Sequence, residues 1–111
     1  MDESILTSIK KLLGPGADTY FDTDIIMHIN AALSILTQIG VGPPEGFTIE
    51  DEFAEWSDFL DNNKKLSMVK TYVYLKVKLV FDPPTLGSVL EAHQNAITEL
   101  ESRISMAAEE K

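Results

Sequence analysis

The chain has 111 residues, 44% of them hydrophobic, which is the size and composition of one folded domain around a single core. Eighteen acidic against nine basic residues give a net charge of -9, which repels phosphate backbones and excludes a broad electrostatic grip on nucleic acid. There is no cysteine, so disulfides, thiolate metal sites and cysteine nucleophiles are excluded; no apolar run approaches the roughly 18 residues that span a membrane.

Asp2 and Glu3 lack the basic start of a signal peptide, so a cytosol-like site of synthesis is expected. From Asp2 to Leu13, the residues Ile5, Ile9, Leu12 and Leu13, with Leu6 beside them, make one apolar helical face. The acids suit the positive end of this helix, and Lys10 and Lys11 its negative end; Gly14-Pro15-Gly16 stops it. Asp22 or Thr23 can cap a second helix running to about Ile39, with Ile25, Ile29, Ala32, Leu33 and Leu36 on one face.

The breaker-rich stretch from Gly40 to Gly46 reads as a surface loop. Thr48 and Asp51 resemble a capping box, which predicts a short third helix to Leu60 with Phe53, Trp56 and Leu60 on one side and acids on the other. Asn62-Asn63 reads as a turn.

Leu66 to Phe81 is ambiguous, because Leu75-Lys76-Val77-Lys78-Leu79 alternates like a strand. Its length and the lack of any second alternating run to pair with decide for a central helix, apolar on most sides. Asp82-Pro83-Pro84 ends it. Ser88 and Glu91 have the spacing of a capping box for a last helix, in which Leu90, His93, Ile97, Leu100, Ile104 and Ala107 form a short heptad seam. The seam requires a partner helix, in the same chain or in another. The fold expected is all-α, a bundle-like domain of four to five helices with two long central and C-terminal helices and one short one.

No pattern carries catalytic chemistry. His28 and His93 lie on different predicted helices without the spacing of a helical metal pair, and read as boundary histidines with local hydrogen bonds. Asp18, Asp22 and Asp24 lack the central glycine and distal glutamate of a calcium loop, so capping and solvation account for them. Nucleophile-elbow, phosphate-loop and dinucleotide motifs are missing. The expectation is no enzyme, no cofactor and no metal, and a protein that binds other proteins, copies of itself included.

Three places are candidates for binding. The block Glu50, Asp51, Glu52, Glu55, Asp58 and Asp61 is either the wet face of a short helix or a docking surface for a basic partner. Lys70, Lys76 and Lys78, with Tyr74 between them, can cover apolar surface with their stems while presenting charge to an acidic neighbour. The last helix offers Leu100, Arg103 and Ile104. Trp56, the sole tryptophan, is either an interface anchor or a core residue. The candidate contact residues are therefore Trp56, Lys70, Tyr74, Lys76, Lys78, Glu52, Glu55, Asp58, Leu100, Arg103 and Ile104.

Four stretches together resemble the head-tail connector (adaptor) proteins of long-tailed bacteriophages. They are Ile5-Leu6-Thr7-Ser8-Ile9-Lys10-Lys11-Leu12-Leu13-Gly14, Phe21-Asp22-Thr23-Asp24-Ile25-Ile26-Met27-His28-Ile29-Asn30, Trp56-Ser57-Asp58-Phe59-Leu60, and the run from Val69 to Pro84 that contains Tyr72-Val73-Tyr74-Leu75-Lys76 and ends in Phe81-Asp82-Pro83-Pro84. The resemblance implies one connector domain over residues 1–111, with 99–111 as a flexible C-terminal docking segment. It further implies a structural virion protein forming a homo-oligomeric ring of about twelve copies below the portal. Its partners would be the portal and the head-completion or tail proteins, with DNA passing through the ring without specific binding and no membrane involved. The site would be the head-tail interface of the virion, after assembly in the bacterial host cytoplasm. The chain departs from similar proteins at Ser102-Arg103, where a bulky aromatic often precedes the arginine. A different reading of the same residues is a small helical regulatory module that engages one partner through its C-terminal helix.

Overall fold

The computed structural model describes residues 4–14, 21–60, 66–81 and 83–109, with the side chains of 66, 108 and 109 left aside. Among them five helices follow in order: α1 (Ile5–Leu13), α2 (Asp22–Ile39), α3 (Trp56–Phe59), α4 (Leu66–Phe81) and α5 (Gly87–Glu109). Among the described residues there is no strand, only an isolated antiparallel bridge between Ser4 and Glu55. The chain is all-α, as expected from the sequence.

The helix ends follow local chemistry. Ser4 caps α1, its Oγ accepting the Thr7 N–H at 3.2 Å. Gly14 closes it at φ 88°, its N–H donating to the Lys10 carbonyl. Asp2 and Glu3, read as supporting this helix, lie outside the described residues, as do Pro15 to Tyr20 and Asp61 to Lys65 with the Asn62-Asn63 turn. At α2 the cap position belongs to Phe21, with Asp22 already in the first turn, one residue before the expected Asp22 cap and two before the Thr23 alternative. Gly40 at φ 109° ends α2 in a left-handed turn, and Val41 N–H reaches back to the Leu36 carbonyl. The last helix starts at Gly87, so Ser88 sits inside its first turn.

The strand-like alternation in α4 is resolved by burial. Val69, Tyr72, Val73 and Val77 form a buried stripe at helical spacing, while Leu75 and Leu79 lie on its flanks against the core. This helix packs against α1, α2 and α5, which makes it the centre of the bundle. The heptad seam of α5 meets it within the same chain: Ile97 and Ile104 are buried and Leu100 packs on the core.

The largest departure from the sequence reading lies between α2 and α4. The expected helix from Thr48 to Leu60 is only the turn Trp56–Phe59, and residues 41–55 form a loop without helical structure. Its backbone groups are engaged elsewhere. Asn30 on α2 takes both polar groups of Ile49, with Nδ2 donating to the Ile49 carbonyl at 3.0 Å and Oδ1 accepting its N–H at 2.8 Å. Asp51 Oδ1 accepts the Phe53 N–H at 3.0 Å, and the Ala54 carbonyl accepts the Ile5 N–H at 2.9 Å. The capping signal belongs to Glu55 and Asp58, since the Asp58 carboxylate accepts the Glu55 N–H at 2.9 Å. Thr48 and Asp51 do not serve it. As a consequence Phe53, expected on the buried side with Trp56, is 79% exposed.

Gly42 stands where the returning loop meets α3. Its φ of +83° is left-handed, and a Cβ there would overlap the ring of Phe59. Gly42→Ala is expected to destabilise by about 1–3 kcal/mol. Gly46→Ala, at φ +99° but facing open space, is expected to cost only the backbone share, about 1 kcal/mol. Urea unfolding midpoints of the two variants measure the difference.

Candidate interaction surfaces

Trp56 is buried, and its indole is held from below by α1. Its Nε1 donates to Ser8 Oγ at 2.8 Å, and Ser8 Oγ in turn donates to the Ile5 carbonyl at 3.1 Å. Ser8 is the one polar residue in the buried set among the described residues, and this pairing explains why it is tolerated there. Of the two roles open to Trp56 from sequence, the core role is the one observed. Ile104 is likewise fully buried, so neither side chain is presented on the subunit surface.

The remaining candidates are spread over several faces. Lys70, Tyr74, Lys76 and Lys78 are half-buried along α4, in keeping with apolar stems lying against the bundle. Glu52 and Asp58 are exposed and Glu55 is half-buried, with the Asp58 carboxylate engaged in capping α3. Arg103 is exposed and pairs with Glu99 one turn away at 3.1 Å, while Leu100 lies half-buried toward α4. Residues 99–109 continue α5 without a break.

The titratable side chains of the described residues lie apart from one another or in local pairs. Among the described residues no group of three or more His, Asp or Glu side chains comes together as a metal-ligand set. Asp22 is paired with Lys10 at 2.7 Å, Asp24 is exposed, and Asp18 lies outside the described residues. His93 Nε2 lies 3.2 Å from the Leu75 carbonyl, a bond between α5 and α4 that requires the proton on Nε2, and His28 sits half-buried on α2. No helix among the described residues is long and apolar enough to cross a membrane.

The model of the family described as "Phage connector protein" matches residues 5–111, nearly the whole chain. The chain belongs to the phage connector protein family. Among curated proteins and solved structures, none matches it. Membership makes this connector-family chain a structural component of the virion, of a family that assembles with portal and tail proteins, and the helical bundle agrees with the fold expected from the resemblance.

The exposed apolar surface of this connector chain includes Leu12 and Phe53, which the sequence reading placed on apolar faces, and others that it did not single out. Besides Phe53, the side chains of Leu12, Phe21, Met27, Val80, Leu86, Val89 and Met106 are exposed among the described residues. By helical spacing Val80 falls on the buried stripe of α4, three residues after Val77 and one before the helix ends, so periodicity carried no signal of its exposure. Phe53 carried none, because its exposure depends on where the loop backbone is tied.

Tyr72 links the two long helices of this connector chain. Its hydroxyl donates to Glu101 Oε2 at 2.6 Å, and burial, then the hydrogen bond and charge of Glu101, raise its pKa well above the usual phenol value. In the unfolded chain the phenol titrates near about pH 10. The folded state therefore keeps a proton that the unfolded state releases, and the contribution of Tyr72 is complete below about pH 10 and is lost as pH rises above it. Comparing urea midpoints at about pH 8 and about pH 11, the wild type should lose more stability over this interval than Tyr72→Phe does.

Proposed function

We propose that this chain forms a ring between the portal and the head-completion or tail proteins, enclosing a channel through which DNA passes. The observation that carries the reading is the match to the connector family over residues 5–111. The whole chain, 1–111, acts as one domain, and residues 99–111 dock onto the portal. The site of action is the head-tail interface, reached after assembly in the host cytoplasm.

The physical properties of the subunit support this reading. A net charge of -9 disfavours lasting phosphate contacts, so DNA would slide past the ring without being held. The same charge opposes chance association, so assembly depends on specific contacts. The acids of the 50–58 segment and the lysines of α4 supply one such contact between neighbours, with Glu52 facing Lys76. The alternative module binding through α5 loses its main support, because the apolar seam of α5 is already covered by α4.

Mixing the purified chain with its portal and imaging the product tests the ring directly. A ring beneath the portal is expected; a particle that stays monomeric or dimeric at high concentration, with portal present, overturns the reading. In the same assay Lys76→Glu should raise the concentration needed for assembly several-fold, about the effect of reversing one partly exposed charge contact. Assembly that ignores the reversal removes that contact and leaves the ring standing.

A further inference from the structure

Exposed apolar side chains are not scattered over this surface. Five of the eight among the described residues, Leu12, Phe21, Val80, Leu86 and Val89, lie at helix ends that meet. The Lys10–Asp22 ion pair joins the end of α1 to the start of α2, the edge-to-face stack of Phe21 on Phe81 joins that start to the end of α4, and five residues connect α4 to α5. Phe53 stands apart, next to Ala54, whose carbonyl holds the first residue of α1. The patch gathers at the opposite end of α1, about 13 Å along its axis.

The two features differ in shape and charge. Phe53 is a single aromatic knob on a loop fixed at Ile49, Phe53 and Ala54 by hydrogen bonds, so little ordering cost attends its docking. Glu50, Asp51 and Glu52, all exposed, precede it, and the stretch 41–60 contains no base. The patch has Lys11 beside Leu12, and Lys76 one turn before Val80 on the same face of α4. Among the described residues its exposed acids, Asp24 and Glu91, are on the α2 and α5 sides and would direct an acidic knob toward the lysines.

We propose that Phe53 of one copy inserts into the Leu12–Val80–Leu86 patch of a second copy of this chain, with Glu50 to Glu52 against Lys11 and Lys76. This rests on the ring reading above and supplies its head-to-tail contact, since a closed ring of identical subunits needs two different, mutually complementary surfaces on each one. Each copy has one knob and one patch, so every contact can be made in turn around the ring.

The absence of native cysteine allows a direct test. Phe53→Cys and Leu86→Cys, both at exposed positions, are made separately, mixed in the presence of portal, and treated with a short bismaleimide crosslinker. Covalent dimers that contain one of each variant, with no dimer from either variant alone, are the expected result. Phe53→Ser should raise the concentration needed for assembly about tenfold or more, as for loss of a central aromatic anchor. Rings of normal mass without 53–86 crosslinks overturn this contact and leave the ring intact. Absence of both rings and crosslinks overturns the two together. Self-crosslinking of Phe53→Cys, or its protection from maleimide by portal or tail protein alone, also overturns the proposal and reassigns the knob to that partner.

Discussion

The burial of α4 is the constraint on which the rest of the bundle depends. A helix with Val69, Tyr72, Val73 and Val77 buried, and Met68, Leu75, Leu79 and Phe81 packed at its margins, cannot stand at a surface. It requires cover on several sides, and α1, α2 and α5 provide it. Each covering helix has one main apolar stripe and a wet face, so the charge of the chain is displaced outward. The lysines of α4 are the exception that burial permits, because their stems pack while their charged ends reach the margin.

Around this centre, a few polar contacts determine where the less regular parts lie. The Asn30 amide pairs with both polar groups of Ile49 and fixes the middle of the long loop to α2. The Ala54–Ile5 bond fixes its end to α1, and the Trp56–Ser8 bond fixes the short helix that follows. These contacts are individually modest, about 1 kcal/mol each, but they are made to buried or half-buried groups whose loss would leave donors without partners. The loop is consequently tied to α1 and α2 at several points, with Phe53 exposed between them.

The proposed ring would need stable shape, tolerance of nearby DNA and separate surfaces for its neighbours. The bundle would supply the first through its core and the second through its negative charge. Separate surfaces come from the way the helices end: their C- and N-termini converge at one end and leave apolar residues uncovered, while the tethered loop projects an aromatic from elsewhere. None of this requires a titratable cluster, and the two histidines are on different helices.

The periodicity of apolar residues determined the helices α1, α2, α4 and α5 to within a few residues, since each is long enough for a face to recur several times. Glycine positions determined where α1 and α2 stop. Composition determined that the chain repels nucleic acid, and the order of the four matching stretches was enough to indicate the connector family. Tertiary structure decided the rest. Whether the seam of α5 met its own chain depended on the distance and angle between α4 and α5, which no local pattern encodes. Ile104 became core through the packing of α5 on α4, whereas Phe53 became surface because hydrogen bonds from Asn30 and Ile5, distant in sequence, drew the loop backbone away from helical pairing.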